Sequence, residues 1–91
     1  SGKYIGSKDL DQTIYTVNKE ATIEIAKQLR LRDIGGIIII DYIDMENQET
    51  KQKILKVLEE SVKKDRSKIQ IVGFTPLDLL EMTRKHICSN D

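Results

Sequence analysis

The segment from Gly35 to Met45 decides the fold, and it reads GGIIIIDYIDM. Four consecutive isoleucines, from Ile37 to Ile40, are followed directly by Asp41. Four β-branched residues without polar alternation indicate a strand buried on both faces, as in the middle of a layered α/β sheet. The two glycines before them predict the end of a preceding helix, because glycine adopts the left-handed conformation at little cost.

The segments on either side of this strand complete a mixed α/β pattern. Apolar residues recur at spacings of three and four from Asp9 to about Arg32, which predicts a first helix. A second helix is predicted from Asn47 to about Lys64, and a short strand from Lys68 to Phe74. Thr75, with Pro76 after it, has the pattern of a helix start and predicts a third helix that ends at about His86.

The predicted fold is therefore a layered α/β unit with the order helix, strand, helix, strand, helix. Two strands do not form a stable open sheet, so partner strands are expected from a second copy, through exposed sheet edges, or from sequence outside this chain. We favour strands from sequence outside this chain, also because the chain starts at Ser1 rather than at a methionine. Residues 1–91 are expected to be one incomplete domain of a larger protein.

Composition excludes several classes of protein. The chain has 91 residues, of which 38% are apolar and 33% charged, and its 15 basic and 15 acidic side chains cancel. This balance excludes a polycation that holds nucleic acid by overall charge. Cys88 is the single cysteine, which excludes a disulfide framework and a thiolate zinc cluster. The sequence shows no membrane span and no signal-peptide pattern, so a cytoplasmic location is expected.

Asp41 is the candidate for a metal-binding carboxylate. It follows a predicted buried strand, at the edge where open α/β sheets place their binding crevices, and a carboxylate there suits Mg²⁺. The alternative is that Asp41 ends the strand and bonds a neighbouring loop. Asp44 joins it only if the chain turns between them. A run of aliphatic residues followed by aspartate also occurs in nucleotide hydrolases and in response-regulator receivers. The chain lacks the glycine-rich phosphate loop of the first class and the acidic pair of the second.

Two groups of basic residues are candidates for phosphate binding. Arg30 and Arg32 form one group, and Arg66 and Lys68 form the other; each lies in a connection beside a strand, where phosphate contacts are often found. The lysines between Lys51 and Lys56 are interpreted as part of a solvated helix face.

The run from Gln28 to Met45, QLRLRDIGGIIIIDYIDM, closely resembles the ribonuclease E/G family. Members of that family carry Q-L-R-L-R-D-[IL]-G-G, then aliphatic residues and D-[FY]-I-D-M. The resemblance continues through Gly2 to Ser7, Asp65 to Gln70 and Leu80 to Lys85, so it covers essentially the whole chain. A run of this length is a specific signal.

The resemblance implies an endoribonuclease that cuts single-stranded, A/U-rich RNA in RNA processing and decay. It also implies a deoxyribonuclease I-like catalytic subdomain, in which two aspartates hold one Mg²⁺ that positions and activates the attacking water. Asp41 matches the second aspartate and is the expected catalytic and metal-binding residue. The first lies in an I-D-[IV]-N-[ST] motif whose last residue matches Ser1, so the isolated chain is expected to be inactive.

The resemblance also assigns RNA contacts. Lys68 matches an arginine that contacts RNA in some members, and Lys3, Arg30 and Arg32 are expected to contact the RNA backbone. Zinc is not expected in this chain, because Cys88 does not match the family's Cys-Pro-x-Cys link. The alternative function, from a different class, is a non-catalytic RNA-binding or assembly module on the same fold.

Overall fold

The computed structural model describes residues 7–87, which form two helices and three strands. In chain order the elements are α1 (Ser7–Leu31), β1 (Gly36–Ile40), α2 (Gln48–Val62), β2 (Ile69–Phe74) and β3 (Leu80–Arg84). The mixed α/β class and the first four elements are confirmed, with bounds close to the predicted ones. Neither helix is long and apolar enough to cross a membrane.

A left-handed aspartate, rather than a glycine, ends α1. Asp33 has φ of 49°, its N–H donates to the Arg30 carbonyl at 3.3 Å, and the next N–H, of Ile34, donates to the Leu29 carbonyl at 3.1 Å. These two bonds satisfy the last carbonyls of the helix. The prediction that the glycine pair ends the helix is therefore wrong. Gly36 instead begins β1 with φ of 96°, which a residue with a Cβ rarely adopts.

The sheet has the order β1-β3-β2, and both strand pairs are antiparallel. Ile40 lies opposite Leu80 and Gly36 opposite Arg84, while Phe74 lies opposite Leu80 on the other side of β3. The strands β1 and β2 therefore run in the same direction. The two helices, each of which precedes one of these strands, consequently end at the same end of the sheet.

The third predicted helix is wrong, because the segment after β2 forms a hairpin that leads into β3. The Thr75 hydroxyl accepts hydrogen bonds from the N–H groups of Leu77 and Leu79, both at 3.2 Å, and the Thr75 N–H donates to the Leu79 carbonyl at 2.8 Å. Asp78 has φ of 63°, a conformation that a helix does not contain. From Leu80 onwards, buried and partly exposed residues alternate with the period of a strand.

The strand β3 supplies the third strand that a sheet needs. The expectation that β1 and β2 require partner strands from elsewhere was based on the wrong assignment of this segment. Strands β1 and β2 are the edges of the described sheet, and pairing of a second copy along these edges stays a prediction.

The core lies between the helices and one face of the sheet. Its buried residues come from α1, β1, α2, β3 and the loop after β1: Leu29, Ile40, Tyr42, Met45, Ile54, Leu58, Leu80 and Met82. The β2 residues Ile69, Ile71 and Phe74 are partly buried against them. The prediction that β1 is buried on both faces is wrong, because Ile37 and Ile39 are 72% and 49% exposed. These side chains point away from the helices, and no described element covers that face.

Candidate active site

Asp41 lies at an open end of the sheet. It is the first residue after β1, and it is exposed to solvent. The hairpin between β2 and β3 reaches the same end, because Leu80 pairs with both Ile40 and Phe74. The carboxylate is thus attached to a rigid strand and flanked by two loops, which is the placement expected from the sequence.

Tyr42 holds the start of the loop that follows. Its side chain is buried in the core, and its hydroxyl lies 2.5 Å from the hydroxyl of Thr22 on α1. Burial raises the pKa of Tyr42, and the hydrogen bond with Thr22 opposes this shift in part. The phenol is therefore neutral over the whole physiological range and acts as an anchor for the backbone next to Asp41.

Asn18 holds the same loop one residue further on. Its side-chain amide donates to the Ile43 carbonyl at 3.0 Å, and its side-chain oxygen accepts from the Ile43 N–H at 3.2 Å. Met45 is buried after it. The two hydrogen bonds satisfy both backbone groups of one loop residue from a buried position on α1, so the loop has a defined shape.

Asp44 is the second carboxylate of this loop. The chain leaves the strand after Ile40 and bends at Ile43, so Asp44 is not held on the opposite face of a continuing strand. Asp41 and Asp44 are both exposed, with buried Tyr42 between them. The turn that the sequence analysis set as the condition for their joint action is therefore present.

The described residues do not complete a site for Mg²⁺. Within residues 7–87 there is no group of three or more histidine, cysteine, aspartate or glutamate side chains that could hold a metal ion. Mg²⁺ requires several oxygen ligands in near-octahedral geometry, and the described residues gather no such set. The exposed carboxylates of Asp41 and Asp44 therefore fit part of a metal site.

Three of the predicted RNA contacts lie at the other end of the sheet from Asp41. Arg30 and Arg32 precede β1, and Lys68 precedes β2, while Asp41 follows β1. The five residues of β1 separate the two ends by about 16 Å. Arg32 and Lys68 are exposed and Arg30 is half-buried. Lys3 lies outside the described residues.

A buried ion network at this basic end was missed by the sequence analysis. The Arg84 side chain has no exposed area; its Nε and Nη2 donate to the two carboxylate oxygens of Asp65 at 2.8 and 3.1 Å. Its Nη1 donates to Asp33 at 2.9 Å and to the Ile34 carbonyl at 3.0 Å. The hydrogen bond from Arg84 is the main cause that lowers the pKa of Asp65, and Asp65 in turn raises the pKa of Arg84.

One signal for this network exists in the sequence. Leu80, Met82 and Arg84 alternate along one face of a strand, and all three are buried. A buried arginine requires acidic partners, and the chain places Asp33 and Asp65 in the two connections that lead into β1 and β2. This alternation was not recognised because the segment was predicted to be a helix.

Lys51 departs from the predicted solvated face. Its side chain is 11% exposed, its ammonium donates to Asp78 in the β2–β3 hairpin at 2.7 Å, and it lies 5.7 Å from the centre of the Phe74 ring. The ion pair therefore joins α2 to the hairpin beside Asp41. Lys53 and Lys56 are exposed, as predicted.

Comparison with known proteins gives one family. The sequence pattern of the ribonuclease E/G family matches residues 1–87. Over 85 residues, covering 93% of this chain, the chain is 54% identical to ribonuclease G of Salmonella typhimurium and 52% identical to ribonuclease G of Escherichia coli. It is also 44% identical over 79 residues to ribonuclease E of Escherichia coli, which covers 87% of this chain and 7% of that protein. The chain spans 17% of the length of the two ribonuclease G proteins.

Proposed function

This chain belongs to the ribonuclease E/G family, and on that premise we propose that it is part of the catalytic subdomain of an endoribonuclease that hydrolyses single-stranded, A/U-rich RNA. The observation that carries the proposal is the placement of Asp41. Its carboxylate is exposed at the end of a strand, on a loop that buried side chains hold in one shape. Precise placement of a charged group is what a hydrolytic site requires of its scaffold.

In the proposed enzyme, Asp41 supplies one carboxylate to a Mg²⁺ whose remaining protein ligands come from outside this chain. The ion would position and activate the water that attacks the scissile phosphate. The role of this chain is to hold the Asp41 carboxylate in position. Tyr42 and Asn18 do this by fixing the backbone on its C-terminal side, and the ladder between β1 and β3 does so on its N-terminal side.

The proposed RNA contacts act at a distance from the reacting phosphate. Arg30, Arg32 and Lys68 lie at the opposite end of the sheet, and the five-residue strand β1 between the two ends is about 16 Å long. Phosphate contacts at that distance position the RNA strand and contribute affinity, but they do not take part in bond cleavage. Lys68 keeps the positive charge that some relatives place there as arginine, without the bidentate geometry of a guanidinium.

The test compares two substitutions of the same loop in the complete enzyme that carries this chain. We expect Asp41→Asn to lower the cleavage rate of a 5′-monophosphorylated, A/U-rich RNA in Mg²⁺ by about a thousandfold, because metal charge stabilisation is worth several kcal/mol and each 1.4 kcal/mol is about a factor of ten. Glu46→Gln, an exposed change that removes one carboxylate from the same loop, serves as the matched control and is expected to retain most of the activity.

Both variants are first compared by thermal unfolding, since exposed carboxylates contribute little to stability. Unchanged cleavage by Asp41→Asn would show that Asp41 has only a structural role. If RNA binding then persists while no variant of this chain affects cleavage, the chain is a non-catalytic RNA-binding module instead.

A further inference from the structure

A basic groove lies between the C-terminal halves of the two helices. On α1 it is lined by Ile23, Lys27 and Arg30, which follow one another at spacings of four and three and so form a single stripe. On the other side it is lined by Glu60 and Ser61 of α2 and by Lys64, just beyond the end of that helix. The groove has a volume of about 420 Å³.

Packing of the core does not explain this stripe. The buried face of α1 is formed by Asn18, Thr22, Ala26 and Leu29, and the groove residues occupy the neighbouring face. Ile23 is 48% exposed on the groove surface. The groove therefore combines an exposed apolar side chain with flanking cations, and a positively charged groove can follow the backbone of a single nucleic-acid strand.

The cations of the groove have charge available for a ligand. Among residues 7–87, Lys27 and Lys64 make no ion pair and no side-chain hydrogen bond. Arg30 donates one weak hydrogen bond, from Nη1 to the Ala26 carbonyl at 3.4 Å, and its charge also interacts with the carboxylate of Asp65, which is held by Arg84. Glu60 is the one acidic side chain of the groove, and its carboxylate already accepts from Lys63 at 3.1 Å.

The topology places further positive charge at the same end of the molecule as this groove. Because β1 and β2 run in the same direction, the ends of α1 and α2 and the starts of both strands lie together. Arg32, Arg66, Lys68 and Lys85 are exposed at this end of the molecule. Asp33 and Asp65, the acidic residues in the connections that precede β1 and β2, are bound to the buried Arg84.

We propose that this groove, through Lys27, Arg30 and Lys64, binds the phosphates of the single-stranded RNA substrate at a position separate from the scissile phosphate. The inference rests on the proposed function, and it adds a second binding locus on the helical side of the molecule. Contacts of this kind are made to phosphates and are independent of base sequence, so the groove contributes affinity and strand position. An acidic protein segment is the competing ligand by charge.

The decisive variant is Lys27→Gln/Lys64→Gln in the complete enzyme, with Lys8→Gln/Lys56→Gln as the control. Both pairs remove two exposed lysines that form no ion pair within the described part of the chain. The substrate is a single-stranded RNA with a 5′-hydroxyl, so that a terminal phosphate plays no part. Binding is measured by fluorescence anisotropy over a range of salt concentrations, and cleavage by steady-state kinetics.

We expect the groove variant to raise Kd and KM about tenfold, to leave kcat unchanged, and to lower the slope of log K against log salt by about 1.4, the value for two phosphate contacts on a single strand. Lys27→Arg/Lys64→Arg should restore the parent affinity, which a folding defect would not allow. An equal Kd for the groove and control variants overturns the proposal, as does loss of binding to poly-glutamate without loss of binding to RNA. Asp41→Asn separates the two proposals, because full activity in that variant contradicts the proposed function whatever the groove variant does.

Discussion

Arg84 stabilises the fold through a charge that has no contact with solvent. Its guanidinium binds Asp65 through two atoms and Asp33 through a third, and these two aspartates lie in the connections before β2 and β1. The planar fork of arginine matches a carboxylate in this geometry, which an ammonium does not. One side chain thus joins three segments that are distant in the sequence.

Removal of this side chain should therefore be costly. We expect Arg84→Met to lower the free energy of unfolding by about 3–5 kcal/mol, because it leaves the buried Asp65 carboxylate without its partner. The double change Arg84→Met/Asp65→Leu should recover a large part of the loss, since both charges are then absent. Urea unfolding measures both values. A loss below about 1 kcal/mol for the single variant would contradict the role assigned to this network.

The same network predicts the behaviour of the protein in acid. The pKa of Asp65 is lowered in the folded state, chiefly by the hydrogen bond from Arg84, from an ordinary value of 3.8. A lowered pKa means that the ionised carboxylate stabilises the fold above about pH 4 and that this contribution is lost as the pH falls further. Thermal unfolding between pH 6 and pH 2 should show a steeper loss of stability for the parent than for Asp65→Asn. Parallel pH profiles would count against this assignment.

The loop between β1 and α2 takes its shape from α1. Asn18 and Thr22 occupy the stripe of α1 that faces the core, and they bond Ile43 and Tyr42 of the loop. Polar residues on the buried face of a helix require partners, and here the partners are a backbone and a phenol on the loop beside Asp41. The geometry of the candidate site is thus set by an element that contributes no ligand to it.

We expect Asn18→Ala to release this loop. The substitution leaves the N–H and carbonyl of Ile43 without their partner, and we expect a loss of about 1 kcal/mol because both hydrogen bonds are only partly buried. Hydrogen exchange at the Ile43 amide should accelerate, and cleavage by the complete enzyme should fall although Asp41 is unchanged. Glu20→Ala, a substitution on the exposed side of the same helix, is the control. Unchanged exchange at Ile43 would show that Tyr42 and Met45 are sufficient to hold the loop.

At the scale of the whole molecule, charges of opposite sign gather at the two ends of the sheet. The exposed carboxylates Asp41 and Asp44 lie at one end, where Asp78 is paired with Lys51, and the basic residues before β1 and β2 lie at the other. This arrangement separates proposed chemistry from proposed substrate binding by about 16 Å, which a single strand of RNA spans within a few nucleotides.

We expect the 91-residue chain alone to bind Mg²⁺ weakly and to cleave no RNA, because the described residues gather no group of three side chains that could hold a metal ion. Isothermal titration calorimetry with MgCl₂ and a cleavage assay with the same RNA as above provide the measurements. Cleavage that persists through further purification and disappears in Asp41→Asn would contradict the prediction. RNA binding by the isolated chain remains compatible with it.

Features that depend on neighbouring residues could be predicted from the sequence. The apolar periodicity of α1 and α2, the aliphatic run of β1 and the position of Asp41 after that run all follow from local patterns. The motif from Gln28 to Met45 identified the family for the same reason, since it is a continuous run of residues.

Features that depend on residues distant in the sequence could not be predicted from it. The segment after Thr75 has the pattern of a helix start, yet it forms a hairpin because Leu80, Met82 and Arg84 are buried together against the helices. Arg84 meets Asp33 across 51 positions of the chain. Ile37 is exposed because no described element covers its face of the sheet, and Lys68 is far from Asp41 because β1 and β2 run in the same direction. The free energies of burial and of ion pairing come from contacts between segments that are distant in the sequence. The strand order determines which segments meet, and no local pattern encodes that order.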